Sequence, residues 1–385
     1  MGGCAAGGVG PMRTSILIPT FLDLSKTTGD TVRTVNIALQ FIRAGLETTM
    51  VARKAGQMRE PFSVLECKSE RQGGWLLPRW VVVVLQNMSK ASLVYCVDSW
   101  TGSFVALSGK LFNIKLVVEA NDLTSTRRSI FHLWTSRPHI PWRLLFAIRV
   151  SDLTICPSDS VRLIIASRNP SLDSKLAVVT NGAPRTGLST SKPNDSRIRI
   201  GFIGSVNPGQ PIWRFIEIIA PLLRKSENVQ LLVMGAGPLM PNLARRIQDL
   251  FLTGKCEIVG TRSEKEALEF AGRLDLGLAF YSSGKIWRGC TLGDSMKARL
   301  YLRAGIPVAT NLPDLGAVVE ARGAGKLLDL NRPGEVLAFV DRITADSKLL
   351  SEMKGNARLL GAGMPDWDDV GSTLVQILRQ RLGIS

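Results

Sequence analysis

The chain has 385 residues, 45% of them apolar, and a formal net charge of +16. At roughly 100–200 residues per domain this length predicts two domains, and the apolar share excludes a globally disordered chain. Residues 1–195 carry +10 and the remainder +6, so the excess is not a basic tail; it either selects an anionic partner or is an ordinary solvated surface.

The opening "MGGCAAGGVGPMRTS" has no charged start followed by a long apolar core, and Ala6 stands where a myristoylation signal carries Ser or Thr. Residues 1–14 read as a flexible leader, with Met12 an alternative start. No apolar run approaches the roughly 18 residues that span a bilayer; Pro78 and Arg79 interrupt "WLLPRWVVVVL". The six cysteines show no CxxC spacing, and the histidines are only His132 and His139. This usage predicts buried thiols in a reducing cytosol and no metal site.

Nearly continuous apolar runs then alternate with helix-period segments. Strands are expected over 15–20, 48–53, 93–97, 115–120, 153–158 and 176–182. Between the first two, Val32, Val35, Leu39, Ile42 and Leu46 share one helical face. That βαβ pattern predicts a parallel sheet covered on both sides. "GAPRTGLSTSKPNDSR" is rich in turn formers and reads as a linker, assigned to 186–197. Strands resume at 198–204, 229–237, 256–260, 274–281, 307–311 and 325–330. The fold class is therefore α/β: two doubly wound Rossmann-like domains, 15–185 and 198–365, facing a cleft. A last helix, 366–385, starts with acids and ends with arginines, as its dipole favours. It is expected to pack back on the first domain.

Ligands of such sheets bind beyond the carboxyl ends of the strands. Gly29, Asp30 and Thr31 lie there, after the first strand, where a helix start favours anions. Their plainer reading is a turn in which Asp30 or Thr31 caps the helix. "VVEANDL" offers Glu119, Asn121 and Asp122, either to take a proton or hold a hydroxyl, or to cap a helix. Asp122 is the candidate catalytic residue. In "RRSIFHLWTSRPHIPWRLLFAIR", residues 127–149, five arginines alternate with four aromatics. This suits an anionic membrane surface, or aromatic core packing with solvated arginines. No nucleic-acid-binding module is visible. "MGAGP" lacks the spacing of a dinucleotide fingerprint.

In order and spacing, "SDLTICPSDSVRLII…KLAVVTNGAP", "IRIGFIGSVNPGQPIWRFIEIIAPL", "VQLLVMGAGP", "CEIVGTRSEKEALEFAGRLDLGLAFYSS" and "KARLYLRAGIPVATNLP" resemble the retaining group-one (family four) glycosyltransferases of GT-B fold. The resemblance covers nearly the whole chain after Ser15. It implies a nucleotide-sugar as donor substrate, no further cofactor, no metal, and a glycan or lipid-linked acceptor. Transfer would be retaining, by front-face attack assisted by the departing diphosphate. The expected location is cytoplasmic, peripheral at the inner face of the cell membrane.

Carried over, the donor side comprises Gly204, Ser205, Arg214, Gly237, Arg262, Ser295 and Lys297, with Arg288 a further candidate. Gly29, Asp30 and Thr31 fall on the acceptor side. Ser295 and Lys297 would stand at a helix start where free N–H groups favour a phosphate; otherwise Lys297 is a solvated helix lysine. Where the family carries two glutamates, this chain has Leu292 and Leu300. Where it carries an arginine and a lysine, this chain has Ser205 and Gln210. Those exchanges keep open a catalytically degenerate binding or partner protein. An epimerase of the same fold would want more titrating groups.

Overall fold

The computed structural model describes residues 14–26, 28–56, 61–67, 76–121, 140, 142–184, 195–282 and 292–384. The first sheet comprises β1 (Ser15–Pro19), β2 (Glu47–Ala52), β3 (Ser63–Glu66), β4 (Leu93–Cys96), β5 (Lys115–Glu119), β6 (Leu153–Cys156) and β7 (Leu176–Val178). Its order is β3-β2-β1-β4-β5-β6-β7, every pairing parallel. The apolar runs are buried outright, as in "LVYC" of β4 and "LTIC" of β6. Edge strand β3 is an addition to the expected set. Its sequence is "SVLE" and none of its four residues is fully buried, so it lacks the continuous apolar run that betrays its neighbours.

The second sheet holds β8 (Ile198–Ile203), β9 (Val229–Met234), β10 (Cys256–Gly260), β11 (Leu276–Ala279), β12 (Val308–Thr310) and β13 (Gly325–Leu327). Its order is β10-β9-β8-β11-β12-β13, again all parallel. In both sheets the order reverses direction beside the first strand, and the crevice at such a reversal is where ligands of this architecture sit.

Around the first sheet lie α1 (Gly29–Arg43), α2 (Leu76–Met88), α3 (Ser99–Leu111), α4 (Trp142–Val150) and α5 (Asp159–Arg168). Around the second lie α6 (Ile212–Lys225), α7 (Met240–Asp249), α8 (Glu264–Gly272), α9 (Met296–Arg303), α10 (Pro313–Ala321), α11 (Pro333–Ala345) and α12 (Ser347–Ala362). None of the described helices is long and apolar enough to cross a membrane.

The last helix, α13 (Trp367–Leu382), ties the two halves together. Asp366 and Asp369 form a reciprocal capping box at its start, and Gly383 ends it in the left-handed conformation. Its Trp367, Val370, Leu374 and Leu378 are buried in the core of the first sheet, not the second. Helix α1 is thus covered on both sides, by the sheet and by α13. Burying each such side chain stabilises by about 1.5–3 kcal/mol, enough to hold the halves in register.

Candidate active site

The N-terminal half supplies a small open pocket of about 60 Å³ beyond β1, β4 and β5, lined by Leu22, Asp30, Arg33, Thr34, Val97, Asp98, Glu119 and Asn121. Helix α1 starts beside it. The cap is Thr28, whose hydroxyl accepts from the Thr31 N–H at 3.3 Å, so neither Asp30 nor Thr31 performs that task. Asp30 is exposed at the pocket rim and Thr31 is buried. A Cβ added to Gly29 would stand 3.8 Å from the Met296 sulfur. The starts of α1 and α9 therefore meet across the gap.

Behind the pocket runs a buried polar chain that the sequence reading did not assemble. Arg33, from α1, donates from Nε to Glu119 Oε2 at 2.7 Å, with both side chains almost wholly buried. The Glu119 carboxylate also accepts from the Tyr95 hydroxyl and the Asn121 amide. Arg33 donates onward to Asn181 Oδ1 at 3.0 Å. Asn181 crosses to the second half: its N–H donates to Asp294 Oδ2 at 2.6 Å and its amide to the Asp294 carbonyl at 3.2 Å. Asp294 is in turn paired with Arg299 at 2.8 Å. Burial, with Glu119 adding to it, pushes the Tyr95 phenol far up, which keeps it a donor. These bonds make Glu119 the anchor of the chain.

The C-terminal half brings Gly204, Gln210 and Lys297 together. The loops after β8 and β9 touch backbone to backbone: a Cβ on Gly235 would lie 1.9 Å from the Gly204 carbonyl, and both glycines have positive φ, +145° and +141°. Gly237 packs in the same way on Val206. Lys297 reaches up beneath Gly204, its ammonium 3.2 Å from where a Cβ would sit. It is bonded to Gln210 Oε1 and lies over the rings of Phe202 and Tyr281, at 4.3 and 5.0 Å. Burial pushes its amine down to about 7. Tyr301 sets the height of this helix. Its hydroxyl accepts from the Ile203 N–H at 2.7 Å, and its ring fills the space left above Gly277.

The other carried-over residues are placed less centrally. Ser295 is buried as the cap of α9, accepting from the Ala298 N–H and bonded to the Tyr281 hydroxyl at 2.8 Å. Ser205 is half-buried beside Gly204, and Arg214 is exposed in the first turn of α6. Arg262 donates to its neighbour Thr261 and lies 4.0 Å from Glu266. Asp122, Arg288 and residues 127–139 lie outside the described residues. The described end of the basic-aromatic segment is α4, with Leu144, Ala147 and Ile148 buried and Trp142, Arg143 and Arg149 exposed. Among the described residues no acidic or histidine–cysteine cluster could hold a metal.

Both leucines at the expected glutamate places are committed to packing. Leu292 lies against the core of the first half, and its carbonyl accepts from the Ser158 hydroxyl at 2.8 Å. Leu300 is buried in the core beneath α9.

No known family model and no curated protein matches the chain. Solved structures do. Anabaena Alr3699/HepE, in complex with UDP and glucose, is 16% identical with a TM-score of 0.74, covering 96% of this chain and 100% of that one. Sucrose-phosphate synthase (tll1590) from Thermosynechococcus elongatus is 15% identical with a TM-score of 0.77, covering 97% and 100%. WaaG, a glycosyltransferase involved in lipopolysaccharide biosynthesis, is 15% identical with a TM-score of 0.71, covering 94% and 99%. With two Rossmann-like parallel sheets facing a cleft, and this likeness running the length of the chain, the fold is that of the GT-B architecture.

Proposed function

We propose that the protein is a glycosyltransferase that moves a sugar from a nucleotide-sugar to a glycan or lipid-linked acceptor. The observation that carries this reading is the group under Gly204: a lysine ammonium with no acidic partner among the described residues, at a crevice where the first strand of the second sheet ends. A diphosphate brings about two negative charges and gains more as the sugar leaves, so a desolvated cation there stabilises both the ground state and departure. Lys297 would hold the diphosphate. Gly204 and Gly237 would allow its close approach, and Ser205, Arg214 and Arg262 would contact its outer oxygens. Ser295 would orient the start of α9 behind it. The pocket of the first half, with Asp30 at its rim and Gly29 and Thr31 beside it, would receive the acceptor, with Asp122 holding a hydroxyl of the acceptor or of the transferred sugar. UDP, bound by Alr3699/HepE, is the first nucleotide to try.

Retention of configuration is the stereochemistry proposed, by front-face attack with the departing diphosphate as the local base. A cytoplasmic protein at the inner face of the cell membrane fits the exposed Trp142, Arg143 and Arg149 of α4. Such a protein would serve polysaccharide biosynthesis. Salt-sensitive pelleting with anionic but not neutral vesicles tests the surface; equal pelleting with both removes it.

A second reading has its own observation. Leu292 and Leu300 leave no carboxylate at the places where the resemblance expects two, which favours a degenerate protein that binds without turnover. Calorimetry with UDP- and GDP-sugars, followed by mass spectrometry of sugar release and transfer, separates the two. Transfer with the donor's anomeric configuration retained supports the enzyme; binding with neither release nor transfer supports the degenerate protein.

A further inference from the structure

Lys297 is a cation placed in apolar surroundings. Strand β8 presents the face of Phe202 to it, the loop before α6 presents the neutral Gln210 amide, and the segment after β11 presents Tyr281. Of these only the Tyr281 phenol titrates, and that hydroxyl is bonded to Ser295 on the start of α9. Asp294, two residues before Met296, is taken by Arg299 and the Asn181 N–H. No carboxylate among the described residues forms an ion pair with Lys297. An ammonium left in this condition loses hydration without gaining a counter-charge, and the neutral amine is favoured.

We infer that the donor diphosphate supplies the counter-ion Lys297 lacks, and that Lys297 takes up a proton from solvent as the donor binds. This rests on the cleft being a nucleotide-sugar site. The step is a proton transfer from water or buffer to the Lys297 Nζ; no bond of the donor breaks. An arginine at position 210 would be permanently charged, whereas glutamine there leaves the charge to a group that titrates. The unliganded amine, near 7, is about half neutral at pH 7 and about nine-tenths neutral at pH 8. A bound diphosphate favours the ammonium, so uptake rises with pH across this window. Affinity falls as pH rises above 7, by up to tenfold per unit.

Calorimetric titration of the full chain with UDP, GDP and inorganic pyrophosphate, at pH 8 in two buffers of different ionisation enthalpy, reads the proton directly. About 0.9 proton taken up per ligand is expected at pH 8 and about 0.1 from Lys297 at pH 6. Lys297→Met should abolish the difference between buffers. Gln210→Glu, which gives the ammonium a carboxylate in the free protein, should abolish it as well. Nucleotide binding without uptake at pH 8 overturns the coupling and leaves the donor site standing. Uptake with pyrophosphate alone supports the coupling and overturns the nucleotide assignment. Uptake that survives in both variants assigns the proton to another group and overturns the inference, as does failure of all three ligands to bind.

Discussion

At the scale of single residues, the buried polar chain is where the molecule is most exposed to change. Arg33 and Glu119 are both almost wholly shielded from water. Breaking such a pair from one side leaves an uncompensated buried charge, which costs about 3–5 kcal/mol. Arg33→Met should therefore lower the unfolding free energy by that amount in a denaturant titration. The double variant Arg33→Met with Glu119→Gln should recover part of it, because the charge is then gone from both sides. Recovery of nothing would mean that Asn181 and the carbonyls of Val179 and Thr180, which Arg33 also holds, matter more than the ion pair. Tyr301 offers a milder case. Tyr301→Phe leaves the Ile203 N–H without its 2.7 Å acceptor and should cost about 1–3 kcal/mol. It should also loosen α9 from β8, visible as faster amide exchange at Ile203.

Elements were legible to the extent that one physical signal governed each. Apolar runs marked twelve of the described strands, most of them because parallel strands are buried on both faces; edge strand β10 was legible from "CEIVG" although none of its residues is fully buried. Only β3 escaped, since an edge strand with a serine and a glutamate is paid for by backbone pairing with β2 rather than by side-chain burial. The βαβ rhythm and the turn-rich stretch near residue 190 gave the two-sheet architecture. The site was legible only in part. Gly204, Ser295 and Lys297 follow strand ends or open a helix, positions that local pattern reveals. Arg33 sits in a helix whose apolar periodicity says nothing of a partner 86 residues away, and Asn181 and Asp294 meet from different halves. Such pairings exist only after folding. The cap of α1 was misplaced by two or three residues for a related reason: Thr28 lies before the glycine that seemed to open the turn.

Helix α13 allows a prediction at this same scale. Gly182 lies where a Cβ would meet the Trp367 ring at 2.6 Å and the Trp367 backbone at 2.8 Å. Gly182→Ala must push the start of α13 off the first half, at about 1–3 kcal/mol. Asp366→Ala removes the acceptor for the Asp368 and Asp369 N–H groups, at about 1 kcal/mol. The alanine at 182 should make the helix accessible to limited proteolysis near residue 366, while the capping variant should only lower the melting temperature. Similar proteolysis in both would show that the cap, not the close approach, holds α13 in place.

The whole molecule poses the question of what keeps the two halves closed over the cleft. Among the described residues the polar links that cross it besides α13 include Asn181 to Asp294, the Ser158 hydroxyl to the Leu292 carbonyl at 2.8 Å, the Ser160 hydroxyl to Asp314 at 2.7 Å, and the Ala183 N–H to the Pro365 carbonyl at 3.0 Å. Only the first is continuous with the buried chain of the acceptor-side pocket, through Arg33. Asn181→Ala removes the amide that joins Arg33 to the Asp294 carbonyl and keeps the backbone N–H that reaches Asp294 Oδ2. The groups it strands lie at the junction between the halves, where opening admits water, so the penalty falls on closure rather than on folding. Two lost hydrogen bonds, at about 1 kcal/mol each, should weaken donor affinity by roughly tenfold or more. Small-angle scattering should show a larger radius of gyration for the variant than for the parent, with the two converging at saturating UDP. Identical scattering curves and equal affinities would place closure with α13 and the remaining crossing links, and the polar chain would then serve only to hold Glu119 and Asp294 in position within their own halves.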